Sequence, residues 1–256
     1  MATRNGYAEG IPAWVDLRTP EVPDALAFYA ALFGWEYREE DTSPGVYHTA
    51  LRRGLPAAGI GSFQDGAPQA WTSYFAVDDA DSVATLIEES GGTILLTPSP
   101  VGTSGRLALA GDPTGAVFGI WEAGEHFGAA IVNEHGGLNW NELITDDMDQ
   151  ARLFYDTVFA YESEVEDWGE GHFYTTFKVG DRGIAGGAVK PRPEIPNHWN
   201  VYFAVDDAAK AVEVATVEGG TVLREARETE DVGIIARLAD PYGAAFTIIE
   251  LANEID

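Results

Sequence analysis

The 256-residue chain has no cysteine. Disulfides and thiolate metal sites are therefore excluded, which suits the cytoplasm, the expected location. Basic residues are scarce: 15 Lys and Arg stand against 42 Asp and Glu, a formal charge of −27. Such a surface repels phosphate backbones and anionic lipids, so neither nucleic acid nor membrane is an expected partner. The same field can steer cationic ligands toward a pocket. Long apolar runs are missing too, and the opening "MATRNGYAEG" lacks the apolar core of a signal peptide. Histidine occurs at positions 48, 126, 135, 172 and 198, with no two spaced as on a metalloprotease helix.

What is present is a repeat. "WTSYFAVDD" (Trp71–Asp79) returns as "WNVYFAVDD" (Trp199–Asp207), and "WVDLRTPEVPDALAFYAALFGW" (Trp14–Trp35) aligns with "WNELITDDMDQARLFYDTVFAY" (Trp140–Tyr161). Gly91-Gly92 matches Gly219-Gly220, and Asp112-Pro113 matches Asp240-Pro241. With 45% apolar and 11% aromatic residues, each copy can bury a core. The expected division is a first domain over 1–123, with units at about 11–65 and 70–123. A linker at 124–136 follows, then a second domain over 137–256 with units at about 137–190 and 198–252.

Within each copy the order strand, helix, three strands occurs twice. Ala25, Phe28, Tyr29 and Leu32 fall on one helical face, and Gly34 is placed to end that helix. Strands are expected near Val46–Leu51, Ala57–Phe63, Trp71–Val77, Thr93–Leu96, Arg106–Ala110 and Ala116–Glu122, with a helix at about Ala80–Ser90. Strand alternation separates two faces. Val15, Leu17, Phe75, Val77, Phe118, Ile120, Val201, Phe203 and Val205 belong under helices. Trp14, Asp16, Thr72, Tyr74, Trp121, Trp140, Glu142, Asn200, Tyr202 and Thr247 point the other way, a mixture that suits a cavity better than a core. The predicted fold class is α+β: four βαβββ units in two domains with curved, cup-shaped mixed sheets. Spacing alone permits the units to pair within a copy or across copies.

The ordered set "FY..LFGW" and "FY..VFAY", "YFAVDD" before a helix ending in "GG", and "DPTGAVFGIWE" or "DPYGAAFTIIE" covers nearly the whole chain. It resembles the vicinal oxygen chelate superfamily, which includes glyoxalase I, extradiol dioxygenases and bleomycin-resistance proteins. In the metalloenzymes of that family a His on a unit's first strand and a Glu on a unit's last strand hold the metal. By resemblance, the His positions fall on Trp14 and Thr72, or Trp140 and Asn200, and the Glu positions on Gly119 and Thr247. The remaining carboxylate position lies near "AAGIGSF" and "IAGGAVK". These residues lack the usual imidazole and carboxylate donors, so no metal and no other cofactor is expected.

Asp16 and Glu142 each follow a first-strand Trp by two residues. Burial would make either one a general base, an anchor for a cationic or hydroxyl-bearing ligand, or a structural carboxylate tied to neighbouring donors. Trp14, Trp121, Trp140, Tyr74 and Tyr202, with polar Thr72, Asn200 and Thr247 beside them, form the expected ligand wall. Aromatic walls stack on planar molecules and attract cations. The expected function is metal-independent binding or sequestration of a small aromatic or polycyclic molecule, in drug resistance or secondary metabolism, so the expectation leans away from an enzyme. Two alternatives are an enzyme of the lyase, isomerase, dioxygenase or hydroxylase-like kind using the cup carboxylates, and a non-catalytic interaction module with closed cups. The expected oligomeric form is a monomeric pseudo-dimer or a homodimer.

Overall fold

The computed structural model describes residues 3–41, 46–62, 69–169 and 171–252. In the first copy β1 (Pro12–Thr19), α1 (Val22–Phe33), β2 (Glu36–Asp41), β3 (Val46–Arg52) and β4 (Leu55–Ser62) form one unit. A second unit follows: β5 (Ala70–Val77), α2 (Ala80–Glu89), β6 (Thr93–Val101), β7 (Gly105–Gly111) and β8 (Val117–Ala123). The second copy repeats this as β9 (Leu138–Thr145), α3 (Met148–Phe159), β10 (Glu162–Asp167), β11 (Phe173–Val179) and β12 (Arg182–Val189). It closes with β13 (His198–Ala204), α4 (Ala208–Val217), β14 (Thr221–Thr229), β15 (Gly233–Ala239) and β16 (Ala245–Leu251). Phe63, at the end of an expected strand, lies outside the described residues. None of the described helices is long and apolar enough to cross a membrane.

Each copy builds one eight-stranded mixed sheet, in the orders β2-β3-β4-β1-β5-β8-β7-β6 and β10-β11-β12-β9-β13-β16-β15-β14. The two units of a copy join through an antiparallel first-strand pair, β1 with β5 and β9 with β13. Neither sheet closes on itself. The α+β architecture of four βαβββ units is thus the observed one, and the pairing left open by spacing is within each copy.

Helix boundaries follow local chemistry. Asp79, Asp147 and Asp207 cap α2, α3 and α4 by accepting from the backbone N–H three residues on. Gly34, at φ 65°, takes the left-handed conformation that ends α1. The glutamates closing the "GIWE" and "TIIE" segments serve the helices as well. Glu122 accepts from Ala80 N at 2.9 Å and Glu250 from Ala208 N at 2.8 Å. Each thereby satisfies a first-turn amide that has no partner inside its helix.

The helix-side faces of the two sheets meet at the centre, and each core is built from both copies. Phe33 of α1 packs on Phe203 of β13, with ring centroids 5.0 Å apart, and Phe159 of α3 packs on Phe75 of β5 at 5.2 Å. Fully burying each such side chain contributes roughly 1.5–3 kcal/mol. A reciprocal polar latch spans the same seam. Tyr155 donates to Asp112 at 2.9 Å, and Tyr29 donates to Asp240 at 3.3 Å. Each phenol oxygen also accepts an indole N–H, from Trp199 and Trp71 respectively. The remaining oxygen of each aspartate binds turn amides, Thr114 and Ala116 in one copy and Tyr242 and Ala244 in the other. The "FY" and "DP.G" motifs of opposite copies are therefore two halves of one contact.

The segment between the copies is no exposed spacer. Ala129, Ala130, Ile131 and Val132 are buried, with Ala129 N bonded to Ala13 O and Ala130 N to Pro56 O. Gly136 continues the strap, its N–H donating to Ala204 O while its carbonyl accepts from the Trp35 indole.

Candidate functional site

Strand register brings the candidate residues together on the concave faces. Trp14 lies opposite Tyr74, Asp16 opposite Thr72, and Tyr74 beside Gly119. In the second copy Trp140 lies opposite Tyr202, Glu142 opposite Asn200, and Tyr202 beside Thr247. Directly paired residues project to the same side of a sheet. From this common plan the two cups diverge.

The first cup is packed shut. Trp14, Asp16, Tyr74 and Trp121 are all buried, none more than 6% exposed. The Trp14 indole donates to the Tyr47 hydroxyl at 2.9 Å. Asp16 accepts from Tyr74 at 3.2 Å and from Arg18 at 3.3 Å. Burial pushes the Asp16 carboxyl above its ordinary range, against the pull of Arg18 and the Tyr74 hydroxyl. His126, from the strap, inserts edge-on against Trp14 at 4.5 Å and approaches Trp121 at 5.8 Å. The Trp121 indole is in turn held by the His126 carbonyl at 2.8 Å.

The second cup opens into a cavity of about 1370 Å³ lined by Trp140, Glu142, Trp168, Tyr174 and Tyr202 among others. Residues at equivalent positions explain the difference. Where the first cup has Trp121 and Arg18, the second has the smaller and uncharged Ile249 and Ile144. Glu142 accepts from Tyr202 at 2.7 Å and keeps an edge on the cavity. Burial pushes this carboxyl up, with Tyr202, Asn200, Arg237 and Tyr174 opposing the shift. Asn200 donates to Thr247 at 2.9 Å, so both polar side chains are satisfied by each other. Trp168 stacks on Tyr174 at 4.4 Å and 9°, extending the wall outward.

The side chains at the family's metal positions do not fit a metal. Among the described residues no three His, Cys, Asp or Glu side chains gather as a ligand set. The first-strand and last-strand positions carry Trp14, Thr72 and Gly119, or Trp140, Asn200 and Thr247. A phenol fills the remaining ground: a Cβ on Gly59 would overlap the Tyr47 hydroxyl, and one on Gly186 the Tyr174 hydroxyl. Sequence reasoning misses these two tyrosines as site residues, and Trp168 with them. The signal for the tyrosines is present, since "VYHT" and "FYTT" align at an offset of 127. Glycine at both facing positions completes the pattern.

A sequence model of the Glyoxalase/Bleomycin resistance protein/Dioxygenase superfamily matches residues 11–120 and again 137–248. The chain belongs to this superfamily. Among related superfamily proteins, one of Mycobacterium tuberculosis named "Putative glyoxylase CFP32" is 40% identical over 260 residues, spanning 99% of this chain and 100% of the relative. "Anthracycline biosynthesis protein DnrV" of Streptomyces peucetius is 35% identical, spanning 96% of this chain and 94% of its own. The fold is shared with the Mn(II)-bound glyoxalase from Novosphingobium aromaticivorans, at a TM-score of 0.68 and 16% identity, covering 97% of this chain and 85% of that one. It is likewise shared with the 2,3-dioxygenase LapB from Pseudomonas sp. KL28, at a TM-score of 0.68 and 14% identity, over 98% and 96% of the two chains.

Proposed function

We propose that the second cup binds a planar, polycyclic aromatic small molecule without the help of a metal, and that the first cup is its closed structural counterpart. The observation carrying this reading is the roughly 1370 Å³ cavity walled by Trp140, Trp168, Tyr174 and Tyr202, beside a first cup whose equivalent space is filled by side chains. Ligand sites of small molecules commonly occupy roughly 300–1,000 Å³, so a multi-ring molecule is accommodated. Stacking on such walls adds about 0.5–1.5 kcal/mol per aromatic contact beyond area burial. The relative named for anthracycline biosynthesis, DnrV, supports a polycyclic ligand. The test is quenching of tryptophan fluorescence by a hydroxyanthraquinone, with Trp140→Ala and Trp168→Ala weakening it. A broad screen of flat aromatics giving neither quenching nor a thermal shift would reject the reading.

One observation favours a second reading, that the same cup transforms its ligand. Glu142 pairs a raised carboxyl with a phenol at 2.7 Å on the cavity wall, an arrangement able to accept a proton from a bound acid. Incubation of candidate ligands followed by mass analysis separates the readings. A new product made by the native protein and lost in Glu142→Gln, with binding retained, would establish the enzyme.

A further inference from the structure

The inner lining of β14 and β15 differs between the copies in a way that packing does not demand. In the second copy Arg224 pairs directly with Arg237, and Arg227 with Ile235. Arg224, Arg227 and Ile235 all border the cavity. At the same register in the first copy Leu96 faces Leu109 and Ser99 faces Leu107. The open cup therefore carries two cations where the closed cup carries two leucines. Like charges directly opposed across strands destabilise a sheet, so nothing within the fold rewards this pair.

The arginines are also left without anionic partners. Among the described residues Arg224, Arg227 and Arg237 form no ion pair, in a chain with 42 acidic residues. Arg237 gives Nη2 to the His198 ring at 2.7 Å, while His198 Nδ1 lies 2.8 Å from Pro196 O. That leaves the Arg237 Nε donor buried with no partner. Burial pushes the Arg237 pKa down, with Tyr202 and Glu142 opposing the shift and the charge of Arg224 adding to it. Arg4 and Arg182 border the cavity as well. Acidic groups also border it, at Glu142, Glu166, Glu228, Glu230 and Asp231. None of them engages these arginines within ion-pair distance. The lining thus holds four arginines to five acids, against 15 to 42 for the whole chain.

We infer that the aromatic ligand of the second cup carries a carboxylate, received by Arg224, Arg227 and Arg237 on the concave face of β14 and β15. The inference rests on the reading of that cup as an aromatic site. A carboxylate would accept paired N–H bonds from guanidinium groups and relieve their mutual repulsion, a match that a neutral or cationic substituent lacks.

The experiment titrates the native protein with three probes that share one ring system: an anthraquinone carboxylic acid, its carboxamide and its aminomethyl analogue. At low salt the acid is expected to bind about tenfold more tightly than the amide, and the advantage should shrink as salt is raised. Arg224→Leu with Arg237→Leu, which installs the first copy's pair, should erase that advantage and raise the Tm of the ligand-free protein. Arg224→Gln with Arg227→Gln, at exposed positions, should likewise erase it if the leucine variant does not fold. Equal binding of acid and amide, preference for the amine, or an acid advantage surviving both variants would overturn the inference while leaving the aromatic site intact. Failure of all three probes to bind would remove that site and the inference together.

Discussion

The two cups share a backbone plan and differ in what fills it. In the first, Asp16 is ringed by Arg18 and Tyr74, and His126 closes the space between two indoles. In the second, the equivalent carboxylate keeps one phenol at 2.7 Å and borders a cavity. A duplicated scaffold thus holds one cup packed by its own side chains and leaves open space in the other. The change rests on a few positions, Trp121 to Ile249 and Arg18 to Ile144 foremost.

The largest expected difference between the cups lies in their first-strand tryptophans. Trp14→Ala should cost about 3–5 kcal/mol in urea unfolding, the range for emptying a packed aromatic site, and leave ligand binding unchanged. Trp140→Ala should cost less stability, because one face already borders open space, and should weaken ligand binding about five- to thirtyfold. Equal stability losses from the two would mean that the cups are not differently filled. Next in size is the exchange Gly119→Thr, which puts the second copy's residue into the first. A Cβ there overlaps the Tyr74 ring, so a loss of about 1–3 kcal/mol is expected in thermal or urea unfolding.

A smaller effect should be common to both copies. Tyr29→Phe and Tyr155→Phe each strip a buried carboxylate of a donor and a buried indole of its acceptor, and each should cost about 1–2 kcal/mol by urea unfolding. A clear inequality would break the symmetry of the latch. The smallest effect is in pH dependence. Asp16 and Glu142 have raised pKa values, so the folded chain keeps their protons to higher pH than the unfolded chain does. Their contribution is fully present below the unfolded value and declines as pH rises through the folded one. Asp16→Asn and Glu142→Gln should each flatten the fall in urea midpoint as pH rises above the ordinary carboxylate range. A steeper fall in either variant would reverse the assigned direction.

Much of the fold was legible because strand alternation, helix stops and the repeat all report local rules. Ser73 and Asn141 belong to the helix side by parity, and their side chains meet there across the two copies at 2.6 Å. The concave positions were legible for the same reason. Which cup is open was not. That depends on side chains far apart in sequence, such as His126 reaching Trp14 and Tyr47 reaching over Gly59. Trp121 illustrates the limit: parity puts it on the cup face, but only the strap's carbonyl at 2.8 Å reveals it as part of a plug. The family resemblance identified the ligand positions by default of donors, while the phenols standing in that space come from neighbouring strands.

The exchange of Tyr29 with Asp240 and Tyr155 with Asp112 also has a temporal side. The first of these contacts joins residues 211 positions apart, so the part of the α1 face that meets Phe203 and Asp240 stays uncovered until nearly the whole chain is made. A nascent first copy emerging alone exposes Phe33 and Tyr29, and a second copy alone exposes Phe75's partner Phe159. Folding to completion is therefore a late, long-range event, slowed by loop closure as non-local contacts are. Until the last strands are made, the half-finished chain presents the sticky aromatic surface that attracts chaperones or its own neighbours on the polysome.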